Sequence, residues 1–169
     1  MKLIYLCILV LTFTLSSKAQ TQKSCESLNF SQFDFWIGEW DLTWYDSDGN
    51  EYKGHNSISK ILDDCVIEEN FEDYNSGFRG KSVTTYSSLK NKWLQTWVDN
   101  TGNFMVFGGG VDKENMILSR NFINPEGNEI YQRMIFHSIE KNSLIWNWEM
   151  SLDGGQTWEL RWQIFYKRK

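Results

Sequence analysis

Apolar and polar residues alternate with a period of two along most of this chain. In the stretch Gly38 to Trp44, Trp40, Leu42 and Trp44 fall on one side and Glu39, Asp41 and Thr43 on the other, as a strand with one buried face requires. Segments of the same kind, rich in Trp, Tyr, Phe, Ile, Val and Thr, recur at 39–46, 52–61, 64–73, 78–87, 92–99, 103–111, 114–123, 128–138, 143–152 and 157–166. Strong turn signals separate them, among them Asp46 to Asn50, Asn75 to Gly77, Asn100 to Gly102, Asn124 to Asn128 and Asp153 to Gly155. No segment carries a helical stripe. The pattern therefore predicts an all-β chain of ten antiparallel strands joined by hairpin-length connections. Such an up-and-down meander leaves two open edges, and closing into a single barrel removes both. Ten strands enclose more room than eight, so a ligand cavity is expected.

The aromatic block Phe33-Asp34-Phe35-Trp36-Ile37-Gly38-Glu39-Trp40 opens the first strand. Its Gly-x-Trp step after a short aromatic turn resembles the start of the calycin barrels, the group that holds lipocalins, fatty-acid-binding proteins and nitrobindins. Together with Gly80-Lys81-Ser82, Trp93-Leu94-Gln95-Thr96-Trp97-Val98-Asp99 and Ser151 to Trp158, it resembles more closely a bacterial family of calycin-like proteins. The resemblance spans most of the chain and implies a calycin-like barrel over 33–169. It brings no catalytic residues with it. It also implies that Trp36, Trp40 and Trp44 plug one end, with Arg161 or Arg168 from the last strand as a cation–π partner.

The first residues read differently. Lys2 gives a short positive start, Leu3 to Leu15 an apolar run, and Ser17-Lys18-Ala19 a small-x-small cleavage signal, so 1–19 is expected to be a signal peptide and 20–32 an N-terminal extension. The apolar run is too short for a permanent membrane anchor. A secreted or periplasmic barrel without membrane insertion is the expectation. The leader carries two lysines and no acid, so its removal makes the net charge of −5 two units more negative. An acidic chain does not suit nucleic acid, whose binding rests on a basic face. Cys25 and Cys65 remain after export. Either they form a disulfide, or Cys65 is a small buried residue and Cys25 is free. Two cysteines and two distant histidines make no zinc site, and neither metal nor cofactor is expected.

Several motifs read as structure. Ser151-x-Asp153-x-Gly155-x-Thr157-Trp158 matches the Asp-box of propeller blades but occurs once, so it reads as a hairpin turn. Asp46-x-Asp48-x-Asn50 lacks the glycine and glutamate positions of a calcium loop. Gly108-Gly109-Gly110 has no helix start or lysine after it, so a bulge or a close strand approach is expected rather than a phosphate cradle.

The excess is aromatic: nine Trp, seven Tyr and eleven Phe. Trp93, Trp97 and Trp148 alternate on strands and are candidate ligand-stacking residues, with Gln95 beside them as a polar contact. Filling a solid core is the other reading. On the eighth strand Tyr131, Arg133 and His137 share one side, alternating with Ile130, Gln132, Met134 and Phe136. Periodicity leaves open which side faces in. If the Tyr-Arg-His side does, a proton acceptor, a proton donor and a carboxylate clamp line one wall, with Glu69 on the third strand. That set suits elimination from uronate-containing oligosaccharides, as in a carbohydrate lyase or dehydratase. It lacks a nucleophile elbow or metal ligands for esterase or zinc chemistry. The alternative is a non-catalytic carrier of an apolar ligand such as a lipid, a pigment or haem. The nitrobindin resemblance would require an axial histidine from a late strand, where 158–169 holds none, so His137 would have to serve.

Overall fold

The strands form where the alternation places them, and the sheet closes on itself. The computed structural model describes Cys25 and residues 27–169; the leader expected at 1–19 and the start of the extension lie outside the described residues. The strands are β1 Gly38–Tyr45, β2 Glu51–Ile61, β3 Val66–Asp73, β4 Arg79–Ser87, β5 Lys92–Asp99, β6 Phe104–Asp112, β7 Asn115–Ile123, β8 Glu129–His137, β9 Ser143–Ser151 and β10 Glu159–Arg168. Each pairs antiparallel with its chain neighbours, and β1 pairs with β10 to complete a closed ten-stranded barrel.

Two strands, β3 and β10, start two residues later than expected, each for a local reason. β3 begins at Val66 because Leu62, Asp63 and Asp64 all take positive φ, at 51°, 56° and 66°. Three consecutive left-handed residues without glycine are costly, and they lie beside the Cys25–Cys65 disulfide. That bond spans a separation of 40 residues, a closure worth about 4 kcal/mol on loop-entropy grounds. At the other end, β10 starts late because the Asp153 turn uses the residues before it. Asp153 accepts from the backbone N–H groups of Gln156 and Thr157 and from the Ser151 and Thr157 hydroxyls.

One end of the barrel is stoppered. Two 3-10 turns, Leu28–Ser31 and Asp34–Trp36, bring Phe30, Phe33 and Trp36 under the sheet, all buried. The Phe33 ring meets Trp93, Phe136 and Trp36 with centroids 5.0, 5.3 and 5.6 Å away. Arg168 ties the stopper to the strand that closes the barrel. Its Nη1 and Nη2 donate to the carbonyls of Ile37 and Phe35 at 2.6 and 3.0 Å, its Nε donates to the Lys141 carbonyl at 3.0 Å, and its Cζ lies 4.1 Å above the Trp40 ring. Of the two arginines expected there, Arg168 holds this place, and Arg161 pairs with Glu159 on the outside. Gly38 makes the approach possible: a Cβ there would lie 2.3 Å from Arg168 Nη1. On β6 Gly109 likewise serves close packing, since a Cβ there would lie 2.0 Å from the Ile117 carbonyl oxygen.

Replacing Arg168 by Met keeps the stem over Trp40 and removes three charge-assisted hydrogen bonds. The expected cost is about 3 kcal/mol in urea unfolding, since each such bond contributes roughly 1.5 kcal/mol or more but they are not additive. Arg161→Met, at an exposed pair, is expected to stay within about 0.5 kcal/mol of the parent; equal effects would mean that Arg168 ties nothing together.

Candidate functional site

Odd-numbered hairpins gather at the end opposite the stopper, and between that mouth and Trp36 the interior is hollow. The cavity holds about 220 Å³. Its walls are rings: Trp97 from β5, Phe107 from β6, Phe136 from β8, Trp146 and Trp148 from β9 and Trp162 from β10. Trp146 stacks on Trp148 with centroids 6.2 Å apart, and Trp162 stands edge-on to Trp146 at 5.6 Å. Trp97 is positioned from two sides. A Cβ at Gly80 would lie 2.0 Å from its ring, so that glycine is what admits the indole. Its Nε1 donates to Asp99 Oδ2 at 3.0 Å. Burial pushes the Asp99 carboxyl up, but hydrogen bonds from Thr101, Trp97 and Asn103 outweigh it and hold the group well below the usual carboxylate range.

Polar groups enter this wall in one connected set. Glu69, Gln95 and Tyr166 all line the cavity and are buried. Glu69 Oε2 accepts from Ser82 Oγ at 2.6 Å, and its Oε1 from Asn56 Nδ2 at 2.8 Å. Gln95 Nε2 donates to Ser82 Oγ at 3.2 Å and to Thr84 Oγ1 at 2.9 Å, and Asn56 Nδ2 also reaches the Tyr166 hydroxyl at 3.1 Å. Burial pushes the Glu69 carboxyl up to about 7, against the hydrogen bonds from Ser82 and Asn56. Burial and the nearby Glu69 charge push the Tyr166 hydroxyl up as well. Near neutral pH, then, Glu69 exchanges between a proton donor and a charged acceptor. Asn56 Oδ1 has no partner in the orientation shown. With Glu69 protonated, turning the Asn56 amide over lets that oxygen accept from the carboxyl and from Tyr166.

The residues expected to form the site divide. Glu69, Gln95, Trp97 and Trp148 come together around the cavity. Trp93 does not: it sits at the start of β5, at the stoppered end, buried beside Phe33 with its Nε1 donating to Gln32 Oε1 at 3.0 Å. Tyr131, Arg133 and His137 lie on the outer side of β8, because Ile130, Met134 and Phe136 are the buried set. Arg133 pairs there with Glu149 at 2.6 Å and covers the Trp158 ring at 3.9 Å. Even facing inward the trio would not converge, since six residues of strand separate Tyr131 from His137 by about 20 Å. The haem reading loses its axial ligand with His137, and no histidine lines the cavity. One inward cation was missed. Arg120 shares its side of β7 with buried Met116 and Leu118, and its Nε donates to Gln132 Oε1 at 2.8 Å.

Over residues 29–168 the sequence matches the family described as "Protein of unknown function (DUF1579)". Among curated proteins none matches. Among solved structures, a de novo designed fluorescence-activating β-barrel is similar, at 14% identity over 82% of this chain and 97% of that one, with a TM-score of 0.44. A redesigned β-barrel is similar at 11% identity over 82% of this chain and 95% of that one, with a TM-score of 0.41.

The raised Glu69 carboxyl fixes the sign of a pH effect. The folded chain holds a proton that the unfolded chain releases, so this contribution is complete below the unfolded value of 4.5 and is lost as pH rises toward about 7. Between those limits unfolding free energy is expected to fall by about 3 kcal/mol. Urea titrations across that range check it: Glu69→Gln should flatten the slope, and an unchanged slope would assign it to other groups.

Proposed function

This chain belongs to the DUF1579 family, and from its site we propose that it is a binding barrel for a small, flat, largely apolar molecule, held without chemical change. One observation carries the reading: a cavity of about 220 Å³ walled by indole and phenyl rings, with Glu69, Gln95 and Tyr166 as its buried polar groups. The volume lies just below the range of about 300–1,000 Å³ usual for drug-sized ligands, which suits a molecule of one or two fused rings. A protonated Glu69 or the Tyr166 hydroxyl would offer such a ligand one hydrogen bond at depth.

A sugar ring stacks on indoles too, but it carries a hydroxyl on nearly every carbon, and these walls answer few of them. Elimination from a uronate needs a carboxylate clamp beside a base and an acid. Arg133, Tyr131 and His137 stand outside, and Glu69 alone does not supply the set. Incubation with uronate-containing oligosaccharides is expected to produce no ultraviolet absorbance from a new double bond. An exported protein remains part of this proposal: the leader-like start supports it, and the Cys25–Cys65 disulfide suits an oxidising compartment.

Calorimetry with 2-naphthol tests the cavity. About −0.6 kcal/mol per non-hydrogen atom, inside the usual span for small ligands, gives roughly −7 kcal/mol and a Kd on the order of 10 µM. Met105→Trp, placed on the half-buried lining where the barrel opens, is expected to weaken binding at least tenfold while the unfolding midpoint holds. Absence of saturable binding to the parent protein would remove the proposal.

A further inference from the structure

The barrel wall is incomplete in one place. The β6–β7 ladder runs from Asp112 paired with Asn115 up to Gly108 paired with Ser119, and stops. Both strands continue toward the mouth: β6 as far as Phe104, paired there only with β5, and β7 as far as Ile123, paired there only with β8. Phe104 to Phe107 and Arg120 to Ile123 thus border a seam with no backbone pairing across it. The β1–β10 ladder is also short, ending at Thr43 and Phe165, but rings close that gap, with Trp44 against Trp162 at 5.6 Å and Tyr45 against Phe165 at 6.4 Å.

A cation spans the β6–β7 seam. The Arg120 guanidinium lies 4.7 Å from the Phe122 ring centre and 5.4 Å from that of Phe107. Phe107 is itself cavity wall and meets Trp148 at 5.7 Å, so Arg120 stands one ring away from the hollow. Among the described residues the other arginines are settled: Arg133 and Arg161 have carboxylates, Arg168 has three carbonyls, and Arg79 is exposed. Arg120 is half-buried, burial disfavours its charge, and no carboxylate lies within ion-pair distance of it among the described residues. Its Nε is committed to Gln132, whereas Nη1 and Nη2 have no acceptor among the described residues. A partly desolvated guanidinium without a counter-charge costs stability, and its free edge has the fork that a carboxylate fills with two parallel hydrogen bonds. Asp99, the carboxylate on the cavity lining at the same end, does not fill it, since its oxygens accept from Trp97, Thr101 and Asn103.

We infer that Arg120, steadied by Gln132, is the receptor for the carboxylate of an aromatic acid whose ring occupies the indole-walled cavity. This deepens the binding reading above and rests on it. The acid group lies in the seam at the mouth, beside solvent, so it keeps part of its hydration while gaining a planar partner. The ring passes behind Phe107 into the hollow, where Glu69 is neutral as long as it holds its proton and the Asp99 carboxylate is occupied by Trp97, Thr101 and Asn103.

The test compares 2-naphthoate with 2-naphthamide, which matches it in shape without the charge, by tryptophan quenching of the purified protein at pH 6 and low salt. Naphthoate is ionised there and Glu69 is mostly protonated. Naphthoate is expected to bind at least tenfold tighter than the amide. Arg120→Met, which keeps an apolar stem against Phe107 and Phe122, is expected to bring naphthoate to the level of the amide and leave the amide unchanged. Gln132→Leu, which retains the charge but frees it to wander, should lose severalfold for naphthoate alone. 2-Naphthalenesulfonate separates planar from tetrahedral oxyanions and is expected to bind less tightly than naphthoate; a sulfonate preference overturns the carboxylate assignment. Equal binding of acid and amide by the parent, or an Arg120→Met variant with its preference intact, overturns the inference while the cavity reading stands. Binding of none of the three probes overturns both.

Discussion

Everything in this barrel depends on how its last strand meets its first. A ten-stranded sheet has no reason to hold a hollow interior unless one end is stoppered and the closing ladder is pinned, because a loose seam at either place lets the walls collapse onto each other. Arg168 does both. Its guanidinium lies on Trp40 of β1, is carried by β10, and donates to the backbone of the 3-10 segment that forms the stopper. An arginine suits this position because it offers a flat face to an indole and a fan of donors at its rim. Lysine would give the charge without the planar stack. The disulfide from Cys25 to Cys65 pins the chain leading into the stopper to the turn before β3, so the same end is fixed from two directions.

With one end held rigid, the other can stay open, and the aromatic residues divide along that axis. Phe33, Trp36, Trp93 and Phe136 pack ring against ring near the stopper with centroid spacings of 5.0 to 5.6 Å. Toward the mouth Trp146 stacks on Trp148 and meets Trp162 edge-on, and with Trp97 these rings surround a void. The difference is what stands behind each ring. Trp97 packs against Gly80 and is hydrogen-bonded at its rim to Asp99, so it is held at the wall. Trp93 is tied to the stopper instead, its Nε1 donating to Gln32 Oε1 and its ring meeting Phe33 and Tyr86.

That division explains which parts of the molecule were legible in the sequence. Strand number, antiparallel order and closure follow from period-two patterning and turn chemistry, both local properties. The height of a residue in the barrel is not local. Trp93, Gln95 and Trp97 share one side of β5, yet the first belongs to the stopper and the others to the cavity, and only the assembled register separates them. On β8 the sequence did hold a usable signal: Ile130, Met134 and Phe136 outweigh Ile135 on the opposite side, so the apolar set marks the interior and Tyr131, Arg133 and His137 the exterior. Arg120 carries a signal of the same kind, since Met116 and Leu118 at the same parity place this charged residue on the inner side.

The two inward ionisable groups of the binding reading then set each other's terms. Glu69 lies deep, where burial raises its carboxyl to about 7, and Arg120 lies half-buried at the mouth, charged although burial disfavours that form. Had the positions been exchanged, a buried guanidinium without a partner would cost several kcal/mol and could not shed its proton to escape the cost. A carboxyl can become neutral by taking up a proton, which is why the interior tolerates this acid and would not tolerate a guanidinium. The order that stability permits, neutral donor inside and cation at the rim, is also the order that accepts a ligand ring first and leaves its anionic group outside. On this reading the constraint of folding around a hollow and the polarity of the bound molecule have one cause, the cost of charge in a wall made of rings.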